Sequence, residues 1–167
     1  MFNTHLDNIG SEAREKSVAI ILEVIGCVHS RWASDRSADA AGGEAILLNY
    51  ILTGDFNSLP IQEAYRAIAA SGKMIDTHEA ISAERRYGEE LTFTGFQPDT
   101  DVDKEEKGRI DFIWFGPKSA VQSTEDPSSA RVPLWRIEGY AVLPNVFEDG
   151  VFCSDHRAVV ADAVLWV

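Results

Sequence analysis

Residues 152–160 read Phe-Cys-Ser-Asp-His-Arg-Ala-Val-Val, so Asp155 and His156 stand side by side at the entrance to an apolar, strand-forming run. Two polar clusters upstream share this design. Asp55 and Asn57 lie in Gly54-Asp55-Phe56-Asn57, directly after Ile51-Leu52-Thr53, and Asp111 interrupts Arg109-Ile110-Asp111-Phe112-Ile113-Trp114. His5 adds an imidazole at the end of a short extended segment, residues 2–6. Carboxylates at strand ends can hold a divalent cation and accept a proton from water. An imidazole suits proton transfer and contact with an anionic oxygen. Hydrolysis of a phosphoester asks little more of a protein: a positioned water, compensation of the phosphate charge and support for the leaving oxygen.

Spacing adds detail. Asp55 and Asn57 are two residues apart, so an extended segment would turn both to one side, the carboxylate toward a water and the amide toward a phosphate oxygen. Asp111 alternates with Ile110 and Phe112 and faces away from both. A carboxylate buried in such a strand requires a partner, and a histidine held through its second ring nitrogen is a natural one. Asp155 and His156 diverge on a strand, yet at a strand entrance both can border one pocket. Each residue also has a plain structural role open to it. Gly-Asp and Asn-Ser are frequent turn pairs, Asp111 can cap a loop, and His5 and His156 can be satisfied core or surface histidines. The coincidence of several clusters in one chain favours a shared site. His29 and His78 lack such companions and read as structural, and Trp32, Trp114, Trp135 and Trp166 read as core or loop anchors rather than base-stacking platforms.

The elements that must position these groups follow from periodicity. Ser11 with Glu12 and Glu15 predicts a helix start; Val18, Ile21, Leu22 and Ile25 form its apolar stripe, and Gly26 reads as its stop. Residues 29–45 read as a surface loop or insertion. Residues 46–53 predict a buried strand ending at the Gly54-Asp55-Phe56-Asn57 cluster. Ser58 and Pro60 predict a second helix with Ile61, Ala64, Tyr65 and Ile68 on one face and Gly72 as terminator. Strands are expected at 74–76, 91–94, 109–115, 135–143 and 158–167, with a loop over 117–131. The sum is a mixed α/β architecture with its polar residues gathered at strand ends.

At 167 residues, 45% hydrophobic and 25% charged, the chain fits a single domain, 1–167, able to bury a core. Its net charge of −12 argues against tight non-specific nucleic-acid binding, which relies on Lys and Arg. Part of that charge clusters at Asp99, Asp101, Asp103, Glu105 and Glu106; the spacing matches a calcium loop only loosely, without the required glycine and final glutamate. Cys27 and Cys153 form no metal or disulfide pattern; Cys153, two residues before Asp155, could line a site, but a small buried apolar role is the favoured reading. No apolar run is long enough for a membrane span, no partner protein is indicated, and the compartment is open; a true start at Met1 would make the protein cytoplasmic.

Taken in order, Asn3-Thr4-His5-Leu6-Asp7, Gly54-Asp55-Phe56-Asn57-Ser58, Arg109-Ile110-Asp111-Phe112-Ile113 and Ser154-Asp155-His156 resemble the motifs of the endonuclease/exonuclease/phosphatase superfamily, across nearly the whole chain. The resemblance implies a four-layer α/β/β/α sandwich and magnesium-dependent phosphoester hydrolysis, with manganese as a substitute ion. It implies that His5 contacts phosphate or assists the leaving group, Asp55 orients or deprotonates the attacking water, Asn57 positions the phosphate, Asp111 holds His156, and Asp155 lies at or near the metal. The substrate would be a phosphoester, either a small molecule or a nucleic acid. Family members normally open with strands carrying an asparagine and then the principal metal-binding glutamate. Neither precedes Asn3, so the expectation is the C-terminal part of a larger enzyme, with its N-terminal strands missing. The alternative is an inactive remnant that binds or does nothing.

Overall fold

The computed structural model describes residues 1–37, 48–96, 107–122 and 135–166. The first sheet holds β1 (Phe2–His5), β2 (Tyr50–Asp55), β5 (Asp111–Gly116) and β3 (Ile75–Asp76), in the order β1-β2-β5-β3. β1 runs parallel to β2, and β2 antiparallel to β5. The second sheet places β7 (Trp135–Val142) between β4 (Arg86–Gly88) and β6 (Val121–Gln122), with β8 (Val159–Leu165) also paired to β7.

Two apolar layers hold these sheets. One packs Leu6, Leu52, Phe56, Phe112 and Trp114 of the first sheet and its turns against Val18 and Ile25 of α1 (Ser11–Ser37) and Ala64, Tyr65 and Ile68 of α2 (Glu63–Ala70). The other packs Phe115 and the partly buried Ile51 and Ile113 against Trp135, Ile137, Tyr140 and Val142 of the second sheet. Helices, first sheet and second sheet thus form successive layers, as the expected sandwich requires. Alternation along the strands makes this possible: on β2, Leu52 faces the helices while Ile51 and Thr53 face the second sheet.

Several expectations need correction. α1 does not stop at Gly26 but runs to Ser37. Its inward stripe of Arg14, Val18, Ile25 and half-buried His29 continues past the glycine, with the His29 ring edge-on to Tyr50 at 6.5 Å. Packing of that stripe outweighs the roughly 1 kcal/mol helix cost of one interior glycine. Residues 29–37 are therefore helical; the rest of the expected 29–45 loop, the acidic cluster at 99–106 and most of the 117–131 loop lie outside the described residues. The second helix begins at Glu63, not at Pro60, because the Gln62 side chain accepts the Leu59 N–H at 2.7 Å and closes a turn first. That leaves Ile61 exposed. Gly72, with φ of 64°, ends the helix as expected. Residues 91–94 form no strand; Phe93 makes isolated bridges to Gly108 and His156 instead. α3 (Thr77–Ala80), β4 and β6 carry too few residues to show a period. Both cysteines are exposed rather than buried, and Trp32 and Trp166 are part-exposed while Trp114 and Trp135 are core residues.

Candidate active site

The register of the first sheet assembles the site. His5 on β1 is the partner of Asp55 on β2, and Asp55 is the partner of Asp111 on β5. One row across three neighbouring strands therefore carries an imidazole and two carboxylates, all on the face turned away from the helices. Gly54 permits the close approach of β1 to β2: at its φ of 148°, a Cβ would lie 1.9 Å from the Thr4 carbonyl oxygen. His156 enters from the turn before β8.

Within this row the His5 Nε2 lies 3.3 Å from Asp55 Oδ2, and the His156 Nε2 lies 3.8 Å from the same oxygen. The other nitrogen of His156, Nδ1, is 2.9 Å from Asp111 Oδ2. An ionised carboxylate only accepts, so this bond places a proton on Nδ1; in the neutral ring Nε2 is then an acceptor turned toward Asp55. The ring of Phe93 packs against the His156 ring, with centroids 5.0 Å apart. Exposure separates the two histidines: the His5 side chain is 74% exposed and that of His156 29%, while that of Asp55 is only 12% exposed. Burial raises the Asp55 carboxyl above the usual carboxylate range, with the Asp111 charge adding to it; the Asn57 N–H and the two imidazoles offset part of the effect.

Asn57 does not sit on an extended segment beside Asp55. Its φ is 45°, its backbone N–H donates to Asp55 Oδ1 at 2.8 Å, and its side-chain Nδ2 donates to the Leu6 carbonyl at 2.8 Å. Asparagine tolerates the left-handed region and forms this kind of turn readily. The residue thereby fixes the Asp55 carboxylate and ties the turn after β2 to the end of β1.

Ligand atoms of Asp55, Asp111 and His156 all lie within 4.8 Å of one another, the arrangement among the described residues that could hold a cation. Asp155 is not part of that group. Its backbone carbonyl accepts the Thr94 N–H at 3.0 Å, and its carboxylate meets the Ser154 hydroxyl at 3.4 Å. One or two carboxylates with several waters is the ligand set magnesium takes, so the oxygens offered here suit it better than the imidazole does. The site opens into a cleft of about 410 Å³ lined by Asn3, His5, Asp55, Asp111, Arg157 and Val159 among others.

Two contributors carry no sequence signal of their own. Asn145, buried, donates to the Ser154 carbonyl at 2.8 Å and to Thr94 Oγ1 at 3.1 Å, bracing the turn that delivers Asp155 and His156. Residues 92–94 supply backbone and side-chain partners to the same turn and to the entrance of β5. His29 and His78 stay outside the site; His78 Nδ1 contacts Glu79 at 2.7 Å. Among the described residues no helix is long and apolar enough to cross a membrane.

A model of the Endonuclease/Exonuclease/phosphatase family matches residues 17–156. The CCR4-Not complex 3'-5'-exoribonuclease subunit Ccr4 of Emericella nidulans is 30% identical over 146 residues, covering 75% of this chain and 19% of that protein. An endonuclease/exonuclease/phosphatase family protein from Bacteroides thetaiotaomicron matches 99% of this chain and 49% of its own, with a TM-score of 0.67 and 24% identity. The mannosyl-6-phosphatase Bt3783 of Bacteroides thetaiotaomicron VPI-5482 matches 98% of this chain and 50% of its own, with a TM-score of 0.64 and 25% identity. The chain thus spans about half the length of these two structures and far less of the exoribonuclease subunit.

Proposed function

Because the chain belongs to the Endonuclease/Exonuclease/phosphatase family, we propose that it carries the water-activating part of a phosphoester hydrolase that depends on magnesium or manganese. The observation behind this reading is the single row of His5, Asp55 and Asp111 across β1, β2 and β5, closed by His156. Asp111 orients His156 and fixes its proton on Nδ1. The gap of 3.8 Å between Nε2 and Asp55 Oδ2 suits one water donating to both. Asp55, held by the Asn57 N–H, is made more basic by burial and takes the water's proton or steers the water toward phosphorus. His5, the most exposed member, contacts the phosphate or the leaving oxygen. Asn57 spends one amide N–H on Leu6 and has a second for a phosphate oxygen. Asp55 and Asp111 would hold the divalent cation, and Asp155, outside that group, would reach it only through a bridging water; when bound, the cation would supply positive charge against the phosphate oxygens.

The substrate is a phosphoester. The relatives named above include an exoribonuclease subunit and a phosphatase, so both a polynucleotide and a small phosphorylated molecule belong in the test. The experiment is a panel with magnesium or manganese: bis(p-nitrophenyl) phosphate, an RNA oligonucleotide and a sugar 6-phosphate, offered to the full-length protein. Divalent-dependent hydrolysis is expected, falling by about 10²-fold or more in Asp55→Ala and His156→Ala while both variants stay folded. Unchanged turnover in both variants overturns the assignment. Binding of a panel member without hydrolysis favours the inactive, binding-only reading.

A further inference from the structure

The Asp111–His156 pair joins two stretches of chain far apart in sequence, and a third stretch stands between them. Thr92, fully buried, sits at that junction. Its Oγ1 accepts the backbone N–H of Ile110 at 2.9 Å and that of Asp111 at 3.1 Å, and lies 3.4 Å from the Gly108 carbonyl, to which it donates. Its own carbonyl accepts the N–H of Arg157, the residue after His156, at 2.7 Å. One residue thus grips the peptide on which the Asp111 side chain is mounted and the peptide that follows His156.

Successive N–H groups of a regular strand point to opposite edges. Those of Ile110 and Asp111 instead converge on one oxygen, so the chain is bent where β5 begins. That bend sets the direction in which Asp111 leaves the backbone. We propose that Thr92 is a positioning residue: its hydroxyl holds the entrance of β5 and its carbonyl holds the His156 turn, so that Asp111 Oδ2 meets His156 Nδ1. The proposal rests on the reading of Asp111 and His156 as the working pair. The neighbouring residues reinforce it, since Phe93 bridges both Gly108 and His156 and the Thr94 N–H donates to the Asp155 carbonyl at 3.0 Å. Threonine suits the task, because its oxygen accepts two bonds while donating one and its methyl group fills the buried position.

The test compares Thr92→Val, which keeps the shape and removes the oxygen, with Thr92→Ser, which keeps the oxygen. The readout is the tautomer of His156 in long-range ¹H–¹⁵N spectra of the neutral ring, together with kcat and KM. The wild-type and serine proteins are expected to hold the Nδ1–H tautomer. The valine variant is expected to show a mixture of both tautomers and a kcat reduced roughly 10- to 100-fold, with KM near wild type. A folded valine variant that retains the Nδ1–H tautomer overturns the proposal, as does a wild-type protein without that tautomer. If the valine variant does not fold, Thr92→Ala against Thr92→Ser carries the comparison, and identical tautomers in those two overturn it. Absence of hydrolysis in every variant counts against the enzymatic reading alone, because the tautomer comparison does not depend on turnover.

Discussion

Arg109 Nη1 lies 2.6 Å from Asp76 Oδ2, in an ion pair buried beside the candidate site. The Tyr65 hydroxyl donates to the same carboxylate oxygen at 3.0 Å, and the guanidinium stacks on the Phe112 ring at 4.7 Å. The Arg109 and Asp76 side chains are 10% and 1% exposed. Although burial opposes the Arg109 charge, Asp76 holds its pKa above the usual arginine value. Burial raises the neighbouring Tyr140 hydroxyl to about 12. The pair ties β3 to the residues entering β5 and so supports Asp111 from behind.

Removing one partner leaves the other charged and buried. Arg109→Met should therefore destabilise the protein by about 3–5 kcal/mol, seen as a lower urea midpoint. The double variant Arg109→Met/Asp76→Leu should recover much of that loss. A single variant with the wild-type midpoint would mean that water or other groups already compensate Asp76.

Asp111→Asn leaves a side chain of the same shape but lets an amide donate to Nδ1, which would move the His156 proton to Nε2. Turnover should fall by about 10- to 100-fold, with little change in Tm. A kinetic assay beside a thermal melt checks both halves of this expectation.

Asp55 offers a pH prediction with a definite sign. Its folded pKa is raised above the unfolded value, chiefly by burial, so the native state binds its proton more tightly than the unfolded chain. Stability from this group then falls as pH rises from the unfolded to the folded pKa, and the loss persists at neutral pH. Asp55→Asn, whose Oδ1 can still accept the Asn57 N–H, should raise Tm at pH 7 and give no gain well below the unfolded pKa. Melting curves at pH 3 and pH 7 decide it. Lost turnover accompanied by gained stability would mark Asp55 as held in an unfavourable state for function.

Gly54→Ala places a methyl group against the Thr4 carbonyl. The expected cost is about 2–4 kcal/mol, and β1 should separate from β2, taking His5 away from Asp55. Hydrogen exchange at Leu6, whose N–H donates to the Asp55 carbonyl at 2.9 Å, should accelerate. Unchanged protection there would show that the strands tolerate the side chain.

Much of this architecture was legible in the chain itself. Runs dense in β-branched and aromatic residues announced β5, β7 and β8, and the stripe Val18, Ile21, Leu22, Ile25 announced α1. Gly26 misled because a local stop signal is weaker than continued packing of the same helix face on Tyr50. Asn57 misled in another way: two-residue spacing implies a shared side only while the backbone stays extended, and a left-handed residue breaks that condition. Residues 91–94, Leu-Thr-Phe-Thr, looked like a strand because β-branched and aromatic residues dominate them, yet their N–H and C=O groups go to two different segments.

Residue types and order alone determined which chemistry the chain carries. Carboxylates and imidazoles at strand ends are a property of composition along the chain, and side chains differ in what they can accept, donate or ligate wherever they are placed. Tertiary structure decided which of them meet. The antiparallel register of β2 and β5 sets Asp55 beside Asp111, the parallel register of β1 adds His5, and the 92–94 segment brings in His156 from 45 residues beyond Asp111. Register, turns and buried backbone bonds are cooperative results of packing, and no spacing within a single segment encodes them.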